Sequence, residues 1–265
     1  MQKSALITGA SGGIGLELSK IFAKNRNNVV LVARNENKLL DIKKEIESEY
    51  GVKAYVYACD LGEKDAALKV FDFCREQHLS IDYLVNNAGF GDCAPFAESD
   101  WQKQYDMIRL NIVALSHLTH CFLPEMIERR AGRILNIASV ASLCAGPNMS
   151  VYYASKAYVR SFSEAISVEA RKHGVSVTAI CPGPVDTGFE RAANVGNAPA
   201  FNILPLADSK KVALFAYRAM MKGKTVKYYG FTAKAMAFAV RLLPECASRK
   251  IAGRLNAKKE DKNEK

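Results

Sequence analysis

Two residues that can exchange a proton, Tyr152 and Lys156, stand four positions apart in the chain. That spacing is about one helical turn, so both side chains project from one face of a helix and can converge on the same ligand. A free phenol titrates near ~10, too high for a good base at neutral pH, and a nearby ammonium favours the phenolate. The pair predicts acid–base chemistry in which Tyr152 carries the proton and Lys156 tunes it.

Other residues compete for these roles, and a tyrosine and a lysine at this spacing also occur in ordinary amphipathic helices. Tyr153 is adjacent to Tyr152 but points about 100° away around the helix. Ser139 directly follows the apolar run 133–138, whereas Ser142 lies one turn of loop further on. We therefore choose Tyr152 as the proton carrier and Ser139 as its polar neighbour.

A glycine-rich turn follows the first apolar run and opens the first helical stretch, with the sequence Thr8-Gly9-Ala10-Ser11-Gly12-Gly13-Ile14-Gly15. Glycines let the backbone turn tightly and approach a pyrophosphate, whose charge meets unpaired N–H groups and the positive end of the helix dipole. The TGxxxGxG spacing departs from the GxGxxG fingerprint. Its position after a strand and before a helix predicts a dinucleotide site.

Arg34 ends the second apolar run, where an acidic residue would hold the ribose 2′-hydroxyl of NAD. A guanidinium cannot accept a hydrogen bond from that hydroxyl, but it can clasp a 2′-phosphate through two charge-assisted bonds. Arg34 therefore favours NADP over NAD. The alternative is a surface ion pair with Glu36 or Asp41.

Runs of strand length alternate with stretches of helical period. The strands are expected at 5–8, 29–33, 54–59, 83–86, 133–138 and 176–181, and the helices at 14–23, 38–49, 66–77, 101–129 and 152–172. This alternation predicts an α/β fold, a single-domain Rossmann-like doubly wound parallel sheet with helices on both faces. The runs are almost wholly apolar, as expected of strands buried on both faces. Ligands should bind beyond the carboxyl ends of the strands.

The end of the chain differs in composition from the rest. We expect a catalytic domain over residues 1–230, with a mobile loop at 182–208 and a last short strand at 223–230. A basic amphipathic extension follows over residues 231–265, disordered from 256 onward. Residues 1–200 hold 22 Lys and Arg against 22 Asp and Glu, whereas residues 201–265 hold 15 against 5. The basic end predicts either a solvated helical face or attraction to an anionic partner.

Together, over residues 4 to about 190, the motifs resemble the short-chain dehydrogenase/reductase family, in its NADP-preferring branch. Ser139 precedes Tyr152 by thirteen residues, the family interval, and Asn111 within the long fourth helix matches the remaining catalytic position. Three further segments match the family's cofactor-contacting loops: Cys59-Asp60-Leu61, Asn86-Asn87-Ala88-Gly89 and Pro182-Gly183-Pro184-Val185-Asp186-Thr187.

The resemblance implies a role for each matched residue. Ser139 donates a hydrogen bond to the substrate oxygen and Tyr152 exchanges its proton. Lys156 holds the nicotinamide ribose, and Asn111 supports a water leading to Lys156. The implied cofactor is NADPH rather than NADH. The implied cofactor-binding residues are Thr8, Gly9, Ser11, Gly13, Ile14, Gly15, Arg34, Asp60, Leu61, Asn87, Ala88, Gly89, Tyr152, Lys156, Pro182, Gly183, Val185 and Thr187.

The residues expected around the substrate are mostly apolar, which favours a hydrophobic ketone or aldehyde such as a steroid, acyl or xenobiotic carbonyl compound. They are Val140, Ala141, Leu143, Cys144, Ala145, Met149, Val185 and the loop 189–206. The alternative function is a non-enzymatic dinucleotide-binding scaffold or sensor. A set of four catalytic residues argues against it, since a pure binder has no need of all four.

Composition narrows the other classes. At 265 residues and 49% hydrophobic, the chain can form one large domain. We expect no secretory signal, no transmembrane helix and a cytoplasmic location. The basic end could in addition contact a membrane surface peripherally. Seven scattered cysteines predict reduced thiols, and no metal site is expected. Net charge alone does not indicate nucleic-acid binding. The resemblance also implies a homodimer or homotetramer formed through helices 101–130 and 152–172.

Overall fold

The computed structural model describes residues 2–195, 198–199 and 206–257, and a seven-stranded parallel sheet forms its centre. The strands are β1 Ser4–Thr8, β2 Asn28–Ala33, β3 Ala54–Ala58, β4 Ile81–Asn86, β5 Gly132–Ile137, β6 Val175–Cys181, β7 Val185–Asp186, β8 Ala207–Asp208 and β9 Val226–Tyr228. Their order in the sheet is β3-β2-β1-β4-β5-β6-β9. A separate parallel pair joins β7 to β8. The expected doubly wound α/β fold is confirmed.

Helices connect the strands and cover the sheet. Several begin where a side chain caps them, as Asn35 does for the helix after β2 by accepting a hydrogen bond from the Lys38 N–H at 3.0 Å. The helices are α1 Gly13–Lys24, α2 Glu36–Tyr50, α3 Ala66–Glu76, α4 Trp101–Ile108, α5 Leu115–Glu128, α6 Ser150–Arg171, α7 Phe189–Ala192, α8 Ser209–Met221, α9 Gly230–Leu242 and α10 Glu245–Asn256.

The core lies in two layers, one on each face of the sheet. Alternate residues of a strand point to opposite faces, so Ile7 of β1 packs with α1, α2 and α8, whereas Leu6 packs with α3 and α5. Phe22 anchors the first layer and Phe122 the second, and both rings are fully buried. This burial on both faces is why the strands read as continuous apolar runs.

The expected single helix over 101–129 is wrong in detail. A π-helical segment, Arg109–Ala114, separates α4 from α5. Such a segment adds a residue to one turn and turns the following side chains around the axis, and it often occurs at functional sites. Asn111 lies in the middle of it.

The two segments expected to be flexible are also more structured than predicted. Residues 182–208 contain β7, α7 and β8, while residues 196–197 and 200–205 of the expected loop lie outside the described residues. Asn256, the first residue of the expected disordered end, is the last residue of α10 and is 1% exposed. Residues 258–265 lie outside the described residues.

Candidate active site

A cavity of about 760 Å³ lies at the carboxyl ends of the central strands. The loops after β1 to β6 line it, as the doubly wound topology predicts. It runs from the glycine turn and Arg34 to the cluster of Ser139, Tyr152 and Lys156, and residues from α9 and α10 also reach it. One cavity therefore joins the predicted nucleotide and catalytic residues.

The glycine turn has a backbone that other residues could not adopt in the same place. Gly9 has φ 66° and Gly13 φ 53°, both in the left-handed region. A Cβ on Gly15 would lie 2.2 Å from the carbonyl oxygen of Gly9, which is backbone and cannot move aside. Gly12 precedes α1 and has no side chain to cap its first N–H groups. These groups are available to an anion such as a pyrophosphate.

Thr8 and Asn87, two of the predicted cofactor residues, are hydrogen-bonded to each other beneath the glycine turn. Thr8 is 1% exposed, and its hydroxyl donates to the carbonyl of Val85 and accepts from the N–H groups of Asn87 and Ala88. The Asn87 side-chain amide donates to the carbonyl oxygen of Thr8 at 2.9 Å. Thr8 and Gly15 do not line the cavity, whereas Gly9, Ser11, Gly13, Ile14 and Asn87 do. The structure thus gives Thr8 and Gly15 a supporting position rather than a lining one.

Arg34 stands at the rim of the cavity with a side chain that is 82% exposed. Its partner is Asp60, at 3.8 Å from Nη1 to Oδ2, and not Glu36 or Asp41. Asp60 also accepts a hydrogen bond from the Gly62 N–H at 2.8 Å. An exposed pair at this distance contributes little to stability, so the guanidinium remains available to an anionic group. The nearby Asp60 and Leu61 line the cavity, as do Ala88 and Gly89.

Ser139, Tyr152 and Lys156 meet at the inner end of the cavity. Ser139 follows β5; its Oγ accepts a hydrogen bond from the Ala141 N–H at 3.1 Å, and its interaction with the Tyr152 phenol partly opposes the rise that burial causes in the pKa of that group. Lys156 is 6% exposed, and its Nζ lies 5.9 Å from the centre of the Tyr152 ring. The same Nζ donates to the carbonyl oxygen of Ile137 at 2.9 Å. Ser139 and Tyr152, the pair chosen from the sequence, both line the cavity, as does Tyr153 but not Ser142.

The protonation behaviour differs from the expectation that Lys156 lowers the pKa of Tyr152. Burial raises the pKa of the Tyr152 phenol to about 12, only partly opposed by the hydrogen bond with Ser139, and Tyr153 raises it further. Burial lowers the pKa of Lys156 to about 8. Both shifts have one cause, since a low-dielectric site disfavours whichever form is charged. The spacing of the two residues could not reveal how deeply they are buried.

Asn111 lies behind the cavity rather than in its wall. Its Oδ1 accepts from the Phe90 N–H at 3.1 Å, and its Nδ2 donates to the Phe90 carbonyl at 2.9 Å and to Ser155 Oγ at 3.0 Å. A Cβ on Gly89 would lie 2.8 Å from Asn111 Oδ1 and 3.4 Å from Lys156 Nζ. The amide therefore fixes the loop after β4 against α6, while the predicted water leading to Lys156 stays a prediction.

The loop after β6 closes the nucleotide side. Pro182, Gly183, Val185 and Thr187 line the cavity. A Cβ on Gly13 would lie 2.8 Å from the Thr187 side chain, so the loop and the glycine turn are in contact. The Pro182 carbonyl accepts from the Val140 N–H at 2.9 Å, which ties this loop to Ser139.

The substrate side is apolar but is not built only from the expected residues. Val140, Ala141, Met149, Val185 and Phe189 line it, whereas Leu143, Cys144 and Ala145 do not. Lining residues that were not expected from the sequence include Tyr153, Met236, Leu255 and Asn256. The last three come from α9 and α10, and no local pattern shows that a C-terminal helix returns to a cavity formed by the first 190 residues.

The part of the chain that the structure describes contains neither a candidate metal site nor a helix that could span a membrane. Within it, no group of three or more His, Cys, Asp or Glu side chains could hold a metal ion. No described helix is both long and apolar enough to cross a bilayer.

The parallel sheet, the glycine turn and the Ser–Tyr–Lys cluster define a dinucleotide-binding oxidoreductase that acts on an alcohol or a ketone. Residues 3–197 match the family model described as short chain dehydrogenase. The chain is 34% identical over 212 residues to an uncharacterized oxidoreductase of Staphylococcus saprophyticus, an alignment spanning 80% of this chain and 91% of that protein. The chain belongs to the short-chain dehydrogenase/reductase family.

Other similarities agree with this assignment. The very-long-chain 3-oxoacyl-CoA reductase of Anas platyrhynchos is 37% identical over 193 residues, which span 71% of this chain and 61% of that protein. This chain therefore matches less than two thirds of the length of that relative. A short-chain dehydrogenase from Sphingobium yanoikuyae in complex with NADPH superposes with a TM-score of 0.81 at 26% identity, covering 91% of this chain and 93% of the other.

Proposed function

We propose that the protein is an NADPH-dependent oxidoreductase that transfers a hydride between the nicotinamide and a carbonyl or alcohol group of a hydrophobic substrate. The observation that carries the proposal is the convergence of Ser139, Tyr152 and Lys156 at one end of a cavity whose other end holds the glycine turn and Arg34. The residues fit a dinucleotide, because an uncapped helix start faces the cavity and an exposed cation lies at its rim.

When bound, NADPH supplies the hydride. Tyr152 donates the proton to the substrate oxygen during reduction, and with a pKa of about 12 it is protonated at neutral pH, the state that an acid requires. Ser139 donates a hydrogen bond to the same oxygen and stabilises the negative charge that develops there. Lys156 would hold the ribose, and its Nζ, 5.9 Å from the centre of the phenol ring, can stabilise the phenolate that remains.

The role of Tyr152 is tested with a panel of steroid, acyl and aryl ketones, following oxidation of NADPH. Tyr152→Phe keeps the ring and removes only the proton donor, so we expect kcat to fall by about a hundredfold or more while NADPH still binds. If wild type oxidised no NADPH with any ketone and matched the variant, the proposal would be wrong.

Arg34 supports the preference for NADPH. Its side chain is exposed and lies in the rim of the cavity, and its ion pair with Asp60 is long at 3.8 Å. A charged hydrogen bond contributes about 1.5–3 kcal/mol, so Arg34→Ala should raise the KM for NADPH by about tenfold or more and leave that for NADH unchanged. Equal effects on both cofactors would assign Arg34 to the surface instead.

The apolar lining supports a hydrophobic substrate, with Val140, Met149, Phe189 and Leu255 in the wall. The duck relative is named for a very-long-chain acyl substrate, which has the same apolar character. The alternative function is a non-enzymatic dinucleotide-binding scaffold. It would predict ligand binding without turnover in the ketone panel.

Assembly and location are further parts of the proposal. Val113 and Val168 are 53% and 75% exposed on the two helices expected to form a homodimer or homotetramer, and sedimentation would measure that association.

Phe231, Phe238 and Leu242 are exposed on α9 beside Lys234 and Arg241, a pattern typical of peripheral membrane contact. Flotation with anionic liposomes tests that contact, and a protein that stays in the soluble fraction would remove it from the proposal.

A further inference from the structure

Asn256, the last residue of α10, is hydrogen-bonded to segments around the candidate active site. Asn256 Oδ1 accepts a hydrogen bond from the Tyr153 hydroxyl at 3.2 Å, and Nδ2 donates to the carbonyl oxygen of Pro147 at 3.1 Å. The main-chain carbonyl of Asn256 accepts from Cys93 Sγ at 3.4 Å. The side chain uses both its acceptor and its donor, and the residue is 1% exposed.

The partners of Asn256 lie in the cavity wall or next to it. Tyr153, Leu255 and Asn256 itself line the cavity. The Tyr153 ring packs on Gly146, where a Cβ would lie 2.4 Å from ring atoms, and it stands edge-on to the Tyr152 ring with centroids 6.3 Å apart. Gly253 of α10 packs against Pro147, because a Cβ at Gly253 would lie 3.2 Å from the proline ring. The wall beside the catalytic tyrosine therefore depends on a residue about a hundred positions further along the chain.

The two side-chain hydrogen bonds of Asn256 form a clamp that joins α10 to Tyr153 and to the loop at Pro147. The clamp carries no charge, and its strength depends on the direction of its hydrogen bonds. A buried amide that loses its partners is costly, so both hydrogen bonds hold the Tyr153 ring and the loop before α6 at a fixed separation from α10. Without them the Tyr153 hydroxyl and the Pro147 carbonyl lose their shared partner, and the wall can move outward.

We propose that Asn256 is a specificity-determining residue that fixes the breadth of the substrate cavity by clamping Tyr153 and the loop at Pro147. The proposal rests on the proposed function for the chemical class of the ligand, a hydrophobic ketone. In the intact protein the clamp favours a narrow ketone over a wide one. Releasing it admits wider ketones and holds narrow ones less firmly.

The test compares acetophenone with benzophenone on the full chain. Their Kd values are measured by ligand-observed NMR on protein loaded with NADP⁺, where no turnover occurs, and their kcat/KM values are measured with NADPH. For Asn256→Ala we expect the preference to shift toward benzophenone by about tenfold, from the loss of two hydrogen bonds. Tyr153→Phe should shift it in the same direction, and the double variant should shift it no further than Asn256→Ala, because both changes break one contact. Arg254→Ala, an exposed position on the same helix, is the matched control and should leave the ratio unchanged.

Each outcome decides the proposal. A lower Tm for Asn256→Ala with an unchanged ratio of Kd values would make Asn256 purely structural and overturn it, as would a wild type that binds neither ketone. If Asn256→Ala fails to fold, Tyr153→Phe alone must shift the ratio. A shift in Kd without hydride transfer would support the clamp and reject the proposed reaction, whereas turnover with an unshifted ratio would do the reverse.

Discussion

Lys156 should destabilise the unliganded protein at neutral pH, and its replacement should reveal by how much. Burial lowers its pKa from 10.5 to about 8. Each unit corresponds to about 1.4 kcal/mol, so the buried ammonium opposes folding by about 3 kcal/mol at pH 7. Lys156→Met removes that penalty, but it also leaves the Ile137 carbonyl without its donor, which costs about 1–3 kcal/mol. The net change at one pH is therefore less informative than its dependence on pH.

The sign of that dependence follows from proton binding. Between pH 8 and 10.5 the unfolded lysine binds more protons than the folded one, so the free energy of unfolding of the wild type rises with pH in this window and falls as pH drops through 8. At pH 9.5 about 1 kcal/mol of the penalty remains. Relative to wild type, Lys156→Met should therefore lose about 2 kcal/mol between pH 7 and pH 9.5.

Urea denaturation of both proteins at the two pH values measures this difference. Taking the difference between variant and wild type cancels the buried tyrosines and cysteines that do not interact with Lys156, since they titrate alike in both. The loss of the Ile137 partner is nearly the same at both pH values and cancels too. A stability gap that stays constant with pH would show that Lys156 is not desolvated in the way that its burial implies. A gap that widens in favour of Lys156→Met would refute the sign.

Two further predictions concern the glycine turn and the proposed assembly. Gly15→Ala places a Cβ 2.2 Å from the Gly9 carbonyl oxygen and should abolish measurable NADPH binding in a titration. In the control Gly12→Ala, the added Cβ meets nothing nearer than Lys38 Nζ at 3.8 Å. That variant should bind NADPH with a Kd within about threefold of wild type. Equal losses in both would remove the close-packing argument. Val168→Glu places a charge on a residue that is 75% exposed in the single chain, so it should leave Tm unchanged while shifting sedimentation toward the monomer, and an unchanged sedimentation coefficient would exclude that helix from the interface.

The sheet and the catalytic cluster could be predicted because their signals are local. β1, the turn at Gly9 and the start of α1 are continuous in sequence, so strand, turn chemistry and helix are recognised together. Tyr152 and Lys156 share one helical turn, and Ser139 follows a strand whose end must lie at the same edge of the sheet. Parallel topology alone then brings these segments to one cavity.

What could not be predicted depends on burial or on contacts between distant segments. The spacing of Tyr152 and Lys156 indicates proximity but not the dielectric around them, which decides the direction of both pKa shifts. The resemblance implies a catalytic role for Asn111, yet its side-chain amide is hydrogen-bonded to Phe90 and Ser155. The π-helical segment that orients this amide has no signature in composition. Asn256 contacts Tyr153 across 103 positions and Cys93 across 163, which no periodicity in the sequence could show.

The opposed pKa shifts at Tyr152 and Lys156 bear directly on the proposed chemistry. Burial disfavours the charged form of both groups, so at neutral pH Tyr152 is a neutral phenol and Lys156, with a pKa of about 8, is an ammonium held close to its titration point. A dinucleotide brings negative phosphates into the same cavity, which favours the ammonium form of Lys156 and raises its pKa. That ammonium can then stabilise the phenolate left when Tyr152 gives up its proton. The new charge at the cluster is then the negative charge of the phenolate, which forms beside an ammonium already in place, and such preorganised stabilisation lowers the barrier most.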